Sequence, residues 1–552
     1  MTVADALVSS LERLGVRYVF GLPGSTEGPL LDALSRVETP EYVLGLHENV
    51  VVAMADGYAR VSGGLGVVSL HTSVGTGNAV SQIMNANVDR SPVLAIIGHK
   101  DAGIANRDGF CTVEDLPGLL RPYTKWSRQV ETPAQAVEDL QRAAQLATAH
   151  PRGPVSLVIT EDRARAPFEG AAAPVPSLPI AAGFRPDRDS VEAAVRALAA
   201  ARRPVIMAGD GVSWTDAGEL LKQLASAFTC PVVQEPRRSA ARINCSTEFA
   251  NYCGEYARSH PAVRDADLVL AVGARVFVEF EPATVSELPD GARLIHVHED
   301  PTELGKRYLP DIGLVGTARE TLRELLAVAQ ELDLAVERDA GRVHELRVGY
   351  EAGVADQRAA AQGESLTIAA ASRILDEGLA DDVVLIDEGI RSSRVLLQQL
   401  SISATRSYHR NTGGAIGWGL PAAVGAAFAA PDRPVALFVG DGSALMSIQA
   451  LWTAAHHDIR LTVFVSNNRG YQAVQAAVEK HREHRLPQPA VGAAIGEPHP
   501  DFVRLAEGFG IPAIAVDTPA ELQAAIRKAE TTSGPMVVEL RLVASEYVGA
   551  AP

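Results

Sequence analysis

The sequence predicts an α/β protein of three doubly wound, parallel-sheet domains in series. Two observations carry that prediction. Short apolar, β-branched runs alternate with amphipathic helical patterns along the chain, as βαβ units do. The alternation is interrupted by an Ala- and Pro-rich stretch at 166–186 and by a charged helical stretch at 318–362. Domains are therefore expected at 1–168, 188–330 and 365–547.

In the first domain, Val3, Leu7, Leu11 and Leu14 space an opening amphipathic helix. Strands are expected at 17–20, 42–46, 65–70, 93–97 and 155–159, with a helix over 49–60. The second domain has strand-like runs at 204–208, 268–273 and 294–297. Gly209-Asp210-Gly211 follows the first of these but lacks the third glycine of a dinucleotide loop, so it reads as a strand-to-helix turn. The third domain has runs at 383–386, 435–439, 461–465 and 537–540.

Composition narrows the function classes. Of 552 residues, 47% are apolar and 21% charged, enough for sizeable cores. A net charge of −17 argues against nucleic-acid and anionic-membrane partners. Cys111, Cys230, Cys245 and Cys253 show no Cys-x-x-Cys spacing and are expected to be reduced core residues. No basic segment followed by an apolar stretch opens the chain, and nowhere do eighteen apolar residues run uninterrupted, so a soluble, cytoplasmic protein is expected.

The chemistry concentrates at 435–471. The run at 435–439 reads as a buried parallel strand, broken by Gly440-Asp441-Gly442-Ser443. Leu445, Ile448, Leu451 and Trp452 then recur at helical spacing over 444–456, and the strand at 461–465 leads to Asn467-Asn468-Arg469-Gly470-Tyr471. A crossover helix makes the two strands parallel, so both loops emerge at one carboxyl edge, where open α/β sheets bind ligands. Gly440 and Gly442 allow a sharp turn and close approach of an anion. The N–H groups of the next helix, with Ser443 as the expected cap, suit a phosphate. Asp441, Asn468 and a carbonyl just beyond offer the hard oxygens that Mg²⁺ takes.

These residues resemble the cofactor motif of the thiamine diphosphate-dependent enzymes: Gly-Asp-Gly, a spacer in the mid-twenties, then Asn-Asn. Here 24 residues, Ser443 to Ser466, separate the two parts. The resemblance is to the pyruvate decarboxylase and acetolactate synthase superfamily and covers essentially the whole chain. It implies pyrimidine-binding, middle and diphosphate-binding domains, with thiamine diphosphate and Mg²⁺ as cofactors. By the same resemblance Asp441, Asn468 and the Gly470 carbonyl hold the metal, and Tyr471 lies beside the diphosphate. A structural FAD in the middle domain is left open, although no complete dinucleotide fingerprint supports one.

Glu48, in Leu46-His47-Glu48-Asn49, ends a strand and opens a helix, where an acidic residue complements the helix dipole. In the family a glutamate at this place bonds the aminopyrimidine ring of the cofactor and exchanges a proton with it. Gly57-Tyr58-Ala59-Arg60 is also similar to the family. Asn411-Thr412-Gly413-Gly414-Ala415-Ile416-Gly417 resembles the segment supporting the bent cofactor, with Ile416 beneath it; an ordinary core isoleucine is the alternative.

The branch most resembled is benzoylformate decarboxylase. Leu70-His71-Thr72-Ser73 and Gly21-Leu22-Pro23-Gly24-Ser25 match its segments, which implies that His71 handles protons and that Ser25 lies near the substrate carboxylate. The chain also departs from each branch. Phe280 falls where a second active-site histidine is expected. No His-His pair occurs in the first domain, and Val474 replaces the glutamate of pyruvate decarboxylases. Phe110 lacks the glutamine that neighbours it in acetolactate synthases. Small residues, Ala473, Val474, Ala476 and Ala477, follow Tyr471 and suggest a wide pocket. Lys480-His481-Arg482-Glu483-His484-Arg485 reads as a solvated helix face or as recognition of a second anionic group, for which His409 and Arg410 are further candidates.

The expected function is non-oxidative decarboxylation of a 2-oxo acid to an aldehyde. The alternative is a carboligase of the acetolactate synthase type, joining the decarboxylated fragment to a second carbonyl compound. The resemblance further implies a homodimer or homotetramer with active sites at the subunit interface.

Overall fold

The computed structural model describes residues 1–104, 107–168, 183–282, 284–334, 336, 338–403 and 405–543. Most of the expected linker, 169–182, and the expected end of the third domain, 547, lie outside them. The chain divides into two compact units, one of Met1–Ile180, Ala361–Gln398 and Gly413–Pro552, the other of Ala181–Ala360 and Gln399–Thr412.

Three six-stranded sheets carry the fold, each flanked by helices. The first holds β1 (Tyr18–Gly21), β2 (Glu41–Leu44), β3 (Gly66–His71), β4 (Val93–His99), β5 (Trp126–Gln129) and β6 (Val155–Thr160), in the order β2-β1-β3-β4-β6-β5. The second holds β7 (Pro204–Ala208), β8 (Val232–Gln234), β9 (Tyr252–Glu255), β10 (Leu268–Val272), β11 (Arg293–His298) and β12 (Ile312–Val315), ordered β12-β11-β10-β7-β8-β9. The third holds β13 (Val384–Glu388), β14 (Ser407–Arg410), β15 (Val435–Gly440), β16 (Leu461–Asn467), β17 (Ala513–Val516) and β18 (Met536–Arg541), ordered β14-β13-β15-β16-β18-β17. The first and third sheets share one topology, so β3 corresponds to β15 and β4 to β16. The three-domain parallel α/β class expected from the sequence is the class observed.

Two helices bind the first and third sheets into one core. The helix Glu48–Ser62 packs against the helix Gly419–Ala429 at a backbone-to-backbone approach. A Cβ on Gly57 would lie 2.6 Å from the Ala422 Cα, and one on Gly425 would lie 2.7 Å from the Met54 carbonyl carbon. A buried polar network pins the same contact. The Arg60 guanidinium donates to Asp56 at 2.8 and 2.7 Å and to Asp89 at 2.8 Å, and lies over the Trp418 ring. The Trp418 indole N–H donates to Asp56 at 2.7 Å. Each buried charge is thereby paired, as burial demands.

Some local expectations are corrected. The helix expected over 444–456 is two helices, Asp441–Met446 and Ala450–His456. Between them Ser447, a residue favoured at caps, ends the first, and the chain turns through short bonds such as Ala450 N–H to the Ser447 carbonyl. Ser443 is not the cap. Gly440 occupies that position in extended conformation, and Ser443 lies buried inside the first turn. Cys111 is a partly exposed loop residue, not core, whereas Cys230, Cys245 and Cys253 are buried; all four are free thiols. The stretch at 318–362 forms two helices, Ala318–Leu332 and Ala340–Ala360. Gly209-Asp210-Gly211 is the expected strand-to-helix turn, opening the helix Asp210–Trp214. Among the described residues no helix is long and apolar enough to cross a membrane.

Candidate active site

The carboxyl edge of the third sheet brings Gly-Asp-Gly and Asn-Asn together. β15 and β16 run parallel with Gly440 opposite Ser466, so Asp441 and Asn468 leave neighbouring strands side by side. Asp441 is buried; its Oδ1 accepts from Gly442 N–H at 2.8 Å and its Oδ2 from Gly470 N–H at 3.0 Å. Gly470 N–H is shared with the Asn468 side-chain oxygen at 3.2 Å. The two asparagines divide the work. Asn467 is an anchor, its amide donating to Glu539 on β18 at 2.6 Å, whereas Asn468 stands at the turn beside Asp441. Tyr471 N–H donates to the Ala493 carbonyl at 2.6 Å, and Ile495 N–H to the Arg469 carbonyl at 2.9 Å. That pairing fixes Gly470 between them and leaves its own carbonyl outside the ladder. A Cβ on Gly442 would strike the Tyr471 ring.

A hard divalent cation fits this arrangement. One carboxylate without a cationic partner among the described residues, one amide oxygen and one backbone carbonyl outside the ladder belong to this turn, and Mg²⁺ takes few protein oxygens of that kind and completes its shell with phosphate and water. The close approach at Gly442, which no side chain could share, suits a diphosphate against the backbone. Burial pushes the Asp441 carboxyl above its ordinary range, with the backbone N–H groups opposing that shift.

The corresponding edge of the first sheet gathers the other candidates. Glu48 is the first residue of its helix, capped by His47, whose Nδ1 accepts from Asn49 N–H at 3.1 Å. Its buried carboxylate accepts from the Asn78 amide at 3.0 Å and lies against Gly75, where a Cβ would be 3.0 Å from Oε1. Gly75 is in the first turn of the helix Thr72–Val88, directly after His71. His71 Nδ1 lies 2.9 Å from the Thr26 hydroxyl and 3.0 Å from Glu27 Oε2. Glu27 also accepts from Gly24 N–H at 2.7 Å and from the Thr26 hydroxyl at 2.5 Å. Ser25 is exposed and bonds Lys100, whose ammonium donates to Oγ at 2.9 Å. Glu27, Asn78 and Lys100 were not foreseen. Glu27 makes the glutamate half of a capping arrangement, accepting from Gly24 N–H, but Gly24 has no side chain to complete a capping box, so no sequence signature marked it.

Ile416 is half-buried, so it is not an ordinary core isoleucine. No hydrogen bond or ion pair joins Glu48 to Asp441 or Asn468 within the chain, among the described residues. The basic cluster at 480–485 is fully exposed at the end of the helix Gln472–Arg482, where its charges complement the helix dipole. In the other unit, Phe280 is 90% exposed. There the Arg410 guanidinium donates to the Arg237 carbonyl at 3.0 Å, and His409 is buried.

Comparison with known proteins agrees with this geometry. The N-terminal TPP binding domain of thiamine pyrophosphate enzymes matches residues 1–117, their central domain 191–325 and their C-terminal TPP binding domain 391–540. The chain belongs to the thiamine pyrophosphate enzyme family. It is 30% identical to benzoylformate decarboxylase of Pseudomonas aeruginosa, covering 98% of each chain. To the acetolactate synthase large subunit of Corynebacterium glutamicum it is also 30% identical, covering 98% of this chain and 86% of that one. The solved thiamine diphosphate-dependent 4-hydroxybenzoylformate decarboxylase of Rhodococcus jostii RHA1 superposes with a TM-score of 0.86 at 29% identity, covering 99% and 100% of the two chains.

Proposed function

We propose that this enzyme is a thiamine diphosphate- and Mg²⁺-dependent decarboxylase that converts a 2-oxo acid to an aldehyde. The observation that carries the reading is the first turn of the helix Thr72–Val88. It brings the His71–Glu27 pair and the Glu48–Asn78 pair to one sheet edge, an acid–base group next to a cofactor-facing carboxylate.

When bound, thiamine diphosphate supplies the electron sink that lets a 2-oxo acid lose carbon dioxide. Asp441, Asn468 and the Gly470 carbonyl would hold Mg²⁺, and Gly440, Gly442, Ser443 and Tyr471 would line the diphosphate. Glu48, held in place by the Asn78 amide at 3.0 Å, would bond the aminopyrimidine and hold or release a proton at its carboxylate. Ile416 would support the cofactor. His71 moves protons at the substrate carbonyl, and Ser25 faces the substrate carboxylate. By the family resemblance, Glu48 of one copy would face Asp441 and Asn468 of another, in a homodimer or homotetramer.

A carboligase reading has its own support. The helix Gln472–Arg482 buries none of its residues and carries small side chains from Ala473 onward, which leaves room for a second carbonyl compound.

The deciding experiment is carbon dioxide release from a panel of 2-oxo acids, from pyruvate through branched-chain and aromatic to dicarboxylic acids, with both cofactors supplied. Release that disappears in Glu48→Ala, with aldehyde as product, supports decarboxylation. A condensation product on adding an acceptor aldehyde or keto acid moves the assignment to carboligation. No release from any member sinks the decarboxylase reading.

A further inference from the structure

Ile416 is set apart by how firmly its neighbours are held. On one side, Ala415 is gripped from the helix Thr72–Val88. The Asn85 amide nitrogen donates to its carbonyl at 2.8 Å, and the Asn85 oxygen accepts from its N–H at 3.2 Å. On the other side, the Glu388 carboxylate accepts from three successive backbone groups: Gly417 N–H at 3.2 Å, Trp418 N–H at 3.0 Å and Gly419 N–H at 2.9 Å. Gly414 and Gly417 take φ of 87° and 88°, conformations that side chains disfavour, so the loop shape depends on them. A Cβ on Gly417 would lie 2.9 Å from the Met446 Cβ, which places the loop against the short helix that begins at Asp441.

Glu388 and Asn85 are both buried, while Ile416 between their grips is only half-buried. Glu388 has no cationic partner among the described residues, and burial pushes its carboxyl up to about 7. An uncompensated buried carboxylate is a costly way to tie down a loop. Its place gives the reason. Glu388 ends β13 opposite Val439 of β15, one residue before Gly440-Asp441, so the carboxylate ties the Ile416 loop to the strand paired with the one that presents Asp441.

We infer that Asn85 and Glu388 are positioning residues that together clamp the Ile416 loop and set the height of its side chain relative to the Asp441 edge. This inference rests on the thiamine diphosphate reading of the site, with Ile416 beneath the cofactor.

The test uses Glu388→Gln, which turns an amide donor toward three N–H groups, and Asn85→Leu, which at similar volume removes both bonds to Ala415 together with the Asn85 donation to Gln82 at 2.7 Å. Three quantities are measured on the full-length protein: thiamine diphosphate affinity at saturating Mg²⁺ by calorimetry, hydrogen–deuterium exchange at the reactive carbon of the bound cofactor by NMR, and melting temperature without cofactor. Each variant is expected to weaken cofactor binding and to slow the exchange at saturation, by about ten- to a hundredfold. Ile416→Ala should slow the exchange without lowering the melting temperature. Variants that melt lower yet bind and exchange like wild type would overturn the inference, leaving a structural strut. If Glu388→Gln does not accumulate folded, Glu388→Asp, which keeps the charge and shortens the reach, is read in the same way. None of these readouts needs a substrate, so they stand or fall separately from the decarboxylation panel.

Discussion

His71 Nδ1 lies 3.0 Å from Glu27 Oε2 and 2.9 Å from the Thr26 hydroxyl, and the two contacts define the histidine tautomer. The Thr26 hydroxyl spends its proton on Glu27 Oε1 at 2.5 Å, so both groups facing Nδ1 are acceptors. The proton therefore sits on Nδ1, which leaves Nε2 as the ring's lone-pair nitrogen. Glu27→Gln keeps the shape but removes the charge that orients and supports the ring. It should lower kcat by about ten- to a hundredfold with cofactor affinity unchanged, and Glu27→Asp should recover part of the loss. Steady-state kinetics on the best acid of the panel, with cofactor titrations alongside, check both statements.

The helix crossing at Gly57 and Gly425 predicts a sign reversal. In an exposed helix interior, Gly→Ala stabilises by about 1 kcal/mol. Here the added methyl meets backbone across the interface, 2.6 Å from the Ala422 Cα or 2.7 Å from the Met54 carbonyl carbon, and backbone cannot rotate away. Gly57→Ala and Gly425→Ala should each destabilise by about 1–3 kcal/mol or more. Gly349→Ala, where nothing lies within 4 Å, is the control expected to be neutral or stabilising. Thermal and urea denaturation of the three variants read the difference directly.

Asp441 predicts the metal dependence. Its two oxygens hold Gly442 and Gly470 N–H groups, so Asp441→Asn keeps much of the local scaffold while removing the only charge in the donor set. Thiamine diphosphate should bind wild type at least about tenfold more weakly after chelation, with Mg²⁺ restoring it. Asp441→Asn should bind at the weakened level with or without Mg²⁺. Calorimetry at matched ionic strength distinguishes these outcomes.

How much of this was legible in the sequence follows from where each residue gets its role. Strands β1, β3, β4, β6, β7, β10, β11, β13, β15, β16 and β18 lie in sheet interiors, and continuous apolar runs marked them. Five of the six edge strands, β5, β9, β12, β14 and β17, were missed with the short β8, because an edge is half-solvated and needs no such run. Asp441 and Asn468 were readable because their chemistry is local, at the ends of adjacent parallel strands. Glu27, Asn85 and Glu388 were not, because each acts on a distant partner: 29 to 31 positions away for Glu388, 330 for Asn85, and 44 for Glu27 through His71. The cap at Gly440 was misplaced onto Ser443 because residue preference favours serine, whereas the helix begins at Asp441 directly after β15 and leaves Ser443 inside its first turn.

Glu235 predicts how stability changes with pH. Its carboxyl is buried, with Oε1 accepting from Arg275 N–H at 2.7 Å and Oε2 without a partner. Burial pushes it from 4.5 up to about 8, with Arg275 opposing. In the unfolded chain the group releases its proton near the ordinary value, whereas the folded protein retains it until about 8. Between those values the folded state binds more protons, so stability falls as pH rises through the window and levels off above it. Glu235→Gln removes the titration. Relative to wild type it should gain stability at pH 9 compared with pH 5, on the order of a few kcal/mol, or about 2–4 °C for each. Groups that do not interact with Glu235 titrate equally in both proteins and cancel, whereas Asp210 and Glu303, whose charges help raise it, belong to the same difference. Melting curves of wild type and variant at the two pH values would contradict the assignment if the gap between them stayed constant.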